Sequence, residues 1–231
     1  MKNTIIILGL FVVFLSSCTT TSTVTKSVAY KGIFDEKPLT ILIMPPINRS
    51  TNVEAKEYFH STLYVPVSNC GFYVIPPFLS MEILKKESAY DAELFLDAPL
   101  QKFGEVFGAD LALFTIIHKW DKSGILAKVY VEVEYIVKST KTNEVVYTRH
   151  GNITYNASVS TGAPGIVGLI ANVAISAINT AATNYMDVAR VCNSFTFKDF
   201  PAGKYSPMYN LDGNDLAGMK VFNVYLNNQY R

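Results

Sequence analysis

The chain begins with a short apolar segment that ends in small residues and a cysteine. Lys2 precedes an apolar run from Ile5 to Leu15, and Ser16-Ser17-Cys18 follows that run. A basic start, a short apolar stretch and small residues before the cleavage position are typical of a secretory signal. The run is too short to span a bilayer. We therefore predict that residues 1–17 are a signal peptide.

The next segment is polar and shows no apolar period. Thr, Ser, Val and Lys dominate from Thr19 to Lys37. Such a composition buries too little apolar surface to pay for ordering the chain. Residues 18–37 are therefore predicted to be a flexible stalk, and an α/β domain is expected over residues 38–194.

Two apolar runs, each ended by a Pro-Pro pair, flank a helical pattern. The runs are residues 39–44 and 72–75, and apolar residues recur at helical spacing between residues 53 and 69. Short runs rich in branched or aromatic residues favour buried strands. A strand, helix and strand of this size predict a parallel crossover. Two further helices are expected over residues 80–87 and 99–108.

The pattern then changes to strands. Apolar and polar residues follow strand-like patterns over residues 110–120, 125–137 and 144–155, and polar turns connect them. Consecutive strands joined by short turns predict an antiparallel meander with one wetter face. The expected fold class is α/β, with a mixed sheet of about five strands packed with helices.

The pattern of residues 166–191 predicts a long helix that is apolar around most of its circumference. The apolar surface of such a helix has to be covered by other parts of the protein or by a partner. One face can pack on the sheet. The face left over contains Val167, Ala171, Ala174 and Ile178. We expect this second face to form an interface with another copy or a partner, or to lie under the chain that follows. A membrane-spanning helix is the alternative, although Asn172 and Asn179 make spanning costly.

The last segment, residues 195–231, is aromatic and rich in Pro, Gly and Asn. No second core pattern is visible in it. We therefore predict an extension that lies on the domain.

The charge balance argues against nucleic-acid binding, and the cysteines raise the question of a disulfide. Lys and Arg number 20 against 19 Asp and Glu, so no basic field exists to bind nucleic acid. Cys70 and Cys192 belong to a chain that we expect to be exported to a compartment where disulfides form. Sequence alone leaves open whether they are two buried thiols or a disulfide.

The sequence shows no recognised catalytic or metal-binding motif. The three histidines, His60, His118 and His150, lie far apart in sequence and none sits in a metal-ligand pair. Asp110 and Asp187 could form a carboxylate pair, but each has a simpler role, in a turn and in an ion pair on a helix. We therefore predict no catalytic residues, no metal site, no cofactor and no enzyme activity.

The segment Leu15-Ser16-Ser17-Cys18 resembles the bacterial lipobox. The resemblance implies that Cys18 takes a lipid thioether, becomes the new N-terminus and holds the protein to membrane lipid. Several acyl chains on one residue are sufficient for stable anchoring. Thr19 follows the cysteine, and by the enterobacterial sorting pattern this favours the outer membrane, with the domain facing the periplasm.

Other segments resemble a family of bacterial envelope lipoproteins of the neisserial genome-derived antigen type. These are residues 43–50, 71–76, 107–110, 185–190 and 203–209. The resemblance implies a domain similar to the N-terminal domain of TolB and, distantly, to the curli-secretion lipoprotein CsgG. It implies a role in export or envelope assembly, with envelope proteins, including a CsgG-like lipoprotein, as partners. The loop at 161–165 is poorer in glycine than the family's.

Three functions compete at this stage. The leading hypothesis is a non-enzymatic accessory that docks other envelope proteins and that is able to form a homo-oligomer. The alternative is a subunit of a CsgG-like outer-membrane secretion channel, in which Glu132 and Glu134 would need a wet lumen. A hydrolase is the weakest hypothesis, because the sequence contains no G-x-S-x-G elbow.

Overall fold

A mixed sheet forms the centre of the computed structural model, which describes residues 24–123, 126–156 and 185–227. The described helices are α1 (Lys26–Ala29), α2 (Lys31–Glu36), α3 (Ala55–Asn69), α4 (Pro77–Lys86), α5 (Gln101–Phe107) and α6 (Tyr185–Phe197). The strands are β1 (Thr40–Ile43), β2 (Ile47–Asn48), β3 (Tyr73–Val74), β4 (Leu111–Ser123), β5 (Lys128–Ser139), β6 (Val145–Asn156) and β7 (Val221–Leu226). The strand order is β3-β1-β4-β5-β6-β7, with β2 beside β4. The predicted α/β class is confirmed, with seven strands in the sheet instead of about five.

The first half of the sheet is parallel. Ile41 of β1 pairs with Val74 of β3 on one side and with Leu111 of β4 on the other, both in parallel. Helix α3 lies between β1 and β3 in the chain, which confirms the predicted strand–helix–strand unit. Ile41, Leu42 and Ile43 are almost fully buried, as expected of a strand with helices on both faces.

The second half is the predicted meander. β4 pairs antiparallel with β5, and β5 pairs antiparallel with β6, over nearly their whole lengths. Along β5 buried residues alternate with half-buried ones until the strand's last residues. One face of the meander is therefore packed and the other is wetter, as the alternation in sequence indicated.

Asp110 joins the starts of β1 and β4. Its Oδ2 accepts hydrogen bonds from the backbone N–H groups of Leu39 and Thr40, at 2.8 and 3.0 Å. Just before it, Gly108 ends α5 in the left-handed region, at φ 65°. The Gly108-Ala109-Asp110 segment is thus a turn that sets the position of two central strands, which is the role that the sequence predicted for Asp110.

The flexible stalk predicted for residues 18–37 is wrong from residue 24 onward. Helices α1 and α2 occupy this region, and Tyr30 and Ile33 are buried in the core. Lys26 Nζ lies 3.0 Å from Asp212 Oδ2, with both side chains buried. The composition suggested disorder, but two well-spaced apolar residues and one buried ion pair order the segment. Residues 18–23 lie outside the described part of the chain.

The boundary predicted at residue 194 is also wrong. Helix α6 continues to Phe197, and β7 pairs in parallel with β6, so the C-terminal segment contributes a strand to the sheet. Phe222 of β7 lies against Gly151 of β6, where an added Cβ would come within 2.5 Å of the ring. A glycine in β6 therefore makes room for the aromatic side chain of its neighbour.

A segment near the C-terminus also holds the turn after α3. The Gly203 N–H donates to the Cys70 carbonyl at 2.8 Å, and the Tyr205 N–H donates to the Gly71 carbonyl at 2.9 Å. Gly71 has φ 90°, and an added Cβ would lie 2.4 Å from the Ser206 nitrogen. This position accepts only glycine, because both the conformation and the close approach exclude a side chain.

The two faces of the sheet carry separate cores. Residues of α3 and α6, including Phe59, Leu63 and Val188, pack with the odd-numbered valines of β5. On the other face, Leu84 of α4 and Phe103 of α5 pack over Leu42, Ala112 and Phe114. Further along β4, β5 and β6 on this second face, the side chains become polar and partly exposed.

Candidate functional site

Two histidines and a glutamate meet on the partly exposed face of the meander. His118 lies on β4, Glu134 on β5 and His150 on β6. His118 Nε2 is 3.1 Å from Glu134 Oε2, and His150 Nε2 is 3.0 Å from Glu132 Oε1. One nitrogen or oxygen atom from each of His118, Glu134 and His150 lies within 4.8 Å of the other two. We call His118, Glu132, Glu134 and His150 the His–Glu cluster.

Strand register explains why these side chains meet. Glu134 lies directly opposite His150 in the β5–β6 pair. In the β4–β5 pair, Ile117 lies opposite Val133 and Lys119 opposite Glu132, so His118 is the extra residue of a bulge. A bulge re-aims the side chain that it carries. Here it brings His118 beside Glu134, on the same face as His150.

The His–Glu cluster is accessible without being fully hydrated. The side chains of His118, Glu134 and His150 are 24%, 28% and 28% exposed. The two imidazole rings stack, with centroids 5.3 Å apart and planes at 26°. The cluster can act as two hydrogen-bonded His–Glu pairs, or its nitrogen and oxygen atoms can bind a divalent metal ion.

The basis on which we predicted no metal site does not hold in the fold. Distance along the chain separated the three histidines, but strand pairing brings His118 and His150 together. A bulge has no signature in a single sequence. The regular pairing of Glu134 with His150 could have been found once the lengths of the β5–β6 turn and strands were known.

The third histidine, His60, has a different environment. It is buried in α3, and desolvation by burial lowers the pKa of its imidazole, partly offset by the charge of Glu57. His60 is therefore a core histidine.

The two cysteines are free thiols, so the disulfide between Cys70 and Cys192 that the sequence left open is not formed. Burial raises the pKa of the Cys70 thiol to about 12 and raises that of Cys192 as well. The Cys70 Sγ instead donates to the carbonyls of Pro66 and Phe197, at 3.2 and 3.3 Å. The reactive form of a cysteine is the thiolate, and the raised pKa values disfavour that form at both positions.

The carboxylates considered as an acid–base pair have structural partners. Asp110 accepts backbone hydrogen bonds at the start of β1, and Asp187 pairs with Arg190 on α6. Neither belongs to the His–Glu cluster.

Other sequence predictions fall outside the described residues. These are lipidation at Cys18 and the interface of Val167, Ala171, Ala174 and Ile178. Of the helix predicted over residues 166–191, the structure describes the part from Tyr185, which is helical. Within the described ranges, no helix has both the length and the apolar character needed to cross a membrane.

A family of known proteins matches most of this chain. The model of a family described as "Putative lipoprotein GNA1162-like" matches residues 28–200. The chain belongs to the GNA1162-like lipoprotein family. This confirms the resemblance found in sequence. The match begins inside α1, in agreement with α1 and α2 being part of the folded domain, and it ends before β7.

Relatives of this GNA1162-like protein include one from Neisseria meningitidis serogroup B, named "Putative lipoprotein NMB1124/NMB1162". It is 23% identical over 188 residues, which cover 79% of this chain and 78% of the relative. Among solved structures, lipoprotein GNA1162 from Neisseria meningitidis has a TM-score of 0.47 at 19% identity, covering 64% of this chain and 100% of that one. A PelC dodecamer from Paraburkholderia phytofirmans has a TM-score of 0.38 at 13% identity, covering 58% and 78%.

Proposed function

We propose that this GNA1162-like protein is anchored in the outer membrane through lipidated Cys18, faces the periplasm, and docks other envelope proteins in export or envelope assembly without catalysing a reaction. One observation carries the proposal. A lipoprotein family matches residues 28–200, and the lipobox-like Leu15-Ser16-Ser17-Cys18 lies a few residues before that match. Family and anchor thus support the same location.

The end of the sheet supports a docking role. β7 is the last strand in the described sheet order, and it exposes Val221 and Tyr225, which are 59% and 76% exposed. A terminal strand presents backbone donors and acceptors to which an extended segment of another protein can add. We propose that such a segment of an envelope protein is the partner of β7.

The chemistry of the described residues supports binding over catalysis. Cys192 is buried and Cys70 is half-buried, and desolvation raises the pKa of both thiols. Asp110 and Asp187 are engaged in a turn and an ion pair. The His–Glu cluster is partly accessible, and its chemistry suits ion pairing or ligand binding.

Replacing Cys18 with Ser should abolish lipidation and processing, because only a thiol can take the thioether lipid. The measurement is incorporation of radiolabelled palmitate in growing cells, with Cys70→Ser as the matched control. The control should label like the wild type, since Cys70 follows α3 within the folded domain. Labelling of the Cys18→Ser protein at the wild-type level would show that Cys18 is not the lipid anchor. Fractionation of the wild type with inner-membrane vesicles would overturn the outer-membrane assignment alone.

The docking role is tested by in-cell crosslinking. A photoreactive amino acid at Tyr225, on β7, should trap a recurring envelope protein, whereas the same group at Glu105, on the exposed side of α5, should not. Reciprocal crosslinking from the captured partner should return this protein. Crosslinks to further copies of this chain alone would replace docking with self-association. Conductance of the purified protein in a planar bilayer would favour the channel alternative.

A further inference from the structure

We propose that His118, Glu134 and His150 bind a divalent transition-metal ion of the zinc class on the open face of the meander. The inference does not rest on the docking function, because it depends only on side chains of three paired strands. Two imidazoles and one carboxylate form a ligand set that zinc takes in proteins, often with a water or substrate in the fourth position.

The distances suit an ion placed between the side chains. Zinc bonds to nitrogen and oxygen of roughly 2.0–2.2 Å place neighbouring tetrahedral ligands about 3.3 Å apart. His118 Nε2 and Glu134 Oε2 are 3.1 Å apart, so an ion could replace the hydrogen that they share. One ligand atom from each of His118, Glu134 and His150 lies within 4.8 Å of the other two, and rotation of these partly exposed side chains would bring them closer to an ion.

Glu132 supplies the outer partner that a metal-bound histidine needs. An imidazole that binds a metal through one nitrogen usually donates the N–H of the other to a carboxylate or carbonyl. Glu132 Oε1 is already 3.0 Å from His150 Nε2, so His150 would bind the ion through its other ring nitrogen, Nδ1. Glu132 therefore is a positioning residue for His150 in the proposed site.

The local charge favours a cation. Glu132 and Glu134 place two carboxylates beside the two imidazoles. The cation opposite Glu132 in the strand register, Lys119, has its Nζ 3.4 Å from Asp121 Oδ2. That lysine is thus engaged by a carboxylate outside the cluster.

The scaffold is already formed before an ion arrives. The three residues lie on adjacent strands that pair over nearly their whole lengths, and the opposite face carries buried Val131, Val133 and Ile153. Little backbone entropy then remains to be lost on binding. The same distances also fit two His–Glu hydrogen-bonded pairs that bind no metal. The experiment below distinguishes the two.

The experiment is titration of the full-length lipoprotein in detergent, freed of metal by a chelator, with zinc chloride in a calorimeter. We expect one zinc ion per chain at the cluster. The double variant His118→Gln/His150→Gln should lose this binding, and Glu134→Gln should weaken it more than about a hundredfold. Glu132→Gln should weaken it about 10–100-fold, as expected for an outer partner. The matched control His60→Gln removes the remaining histidine and should bind like the wild type.

A second measurement protects the conclusion from misfolded variants. Binding to the folded state raises its melting temperature, so zinc should stabilise the wild type and the His60→Gln protein but not Glu134→Gln. Cobalt(II) should give visible absorption bands of a low-coordinate site in the wild type and lose them in the double variant. If the wild type binds no more zinc than the folded double variant, the proposal is wrong and the cluster consists of ion pairs only. Failure of the palmitate experiment would leave this result unchanged.

Discussion

Replacing Asp199 with Ala is expected to lower the free energy of unfolding by about 3 kcal/mol, because it leaves a buried arginine without its counter-ion. Arg149 Nη1 lies 2.7 and 2.9 Å from the two carboxylate oxygens of Asp199. The Arg149 side chain is only 4% exposed. Gly218 covers the pair so closely that an added Cβ would lie within 2.0 Å of Arg149 Nη1. The guanidinium cannot lose its proton to escape the cost.

The control is Asp35→Ala, which removes the partner of Lys31 in a pair exposed to solvent. Its cost should be below about 1 kcal/mol, as for other surface pairs. Chemical denaturation gives both values. The double variant Asp199→Ala/Arg149→Met should recover much of the loss, since no charge is then left buried. Equal costs for Asp199→Ala and Asp35→Ala would show that the buried pair contributes no more than a surface one.

Replacing Asn193 with Leu is also expected to cost about 3 kcal/mol, although Leu is apolar and similar in volume. Asn193 is fully buried in α6. Its Oδ1 accepts from the Tyr135 hydroxyl at 2.5 Å, and its Nδ2 donates to Thr62 Oγ1 at 2.9 Å and to the Phe59 carbonyl at 3.3 Å. The substitution removes three buried hydrogen bonds to β5 and α3, and a net loss of roughly 1 kcal/mol for each gives the expected total.

A double-mutant cycle makes this prediction specific. Burial raises the pKa of Tyr135 well above its ordinary value, so the hydroxyl keeps its proton and acts as donor. Tyr135→Phe should destabilise the wild type by about 1 kcal/mol but should have no such cost in Asn193→Leu, because the hydroxyl has already lost its Asn193 partner there. Asn69→Leu, on an exposed position, should change stability by less than about 0.5 kcal/mol. An additive cycle, with the same cost in both backgrounds, would contradict the network.

The parts of the fold that depend on local pattern were predictable from sequence. The branched apolar run at Ile41–Ile43 and the alternation along β5 reflect burial on both faces and on one face, and each is visible without knowing the neighbours. The turn between α5 and β4 was also predictable, because Gly108 ends α5 and Asp110 comes directly before β4. These features involve residues close together in the chain.

The parts that depend on distant partners were missed. Residues 26–36 looked like a polar stalk, because the partner that orders Lys26 is Asp212, 186 residues away. β7 looked like an extension, because the strand that it pairs with ends 65 residues earlier. The His–Glu cluster depends on a bulge at His118, which shifts one side chain relative to its neighbours. Composition and period carry no information about such long-range pairing.

The early start of the fold limits how far this protein can reach. Only residues 19–24 separate the proposed anchor at Cys18 from Thr25, whose backbone already pairs with Leu216. A fully extended chain of that length spans about 25 Å at most. With that anchor, the domain would stay within a thin layer beside the bilayer. This confinement would raise its effective concentration for binding to proteins in the same membrane. A partner fixed in the opposite membrane would have to bridge the remaining distance itself.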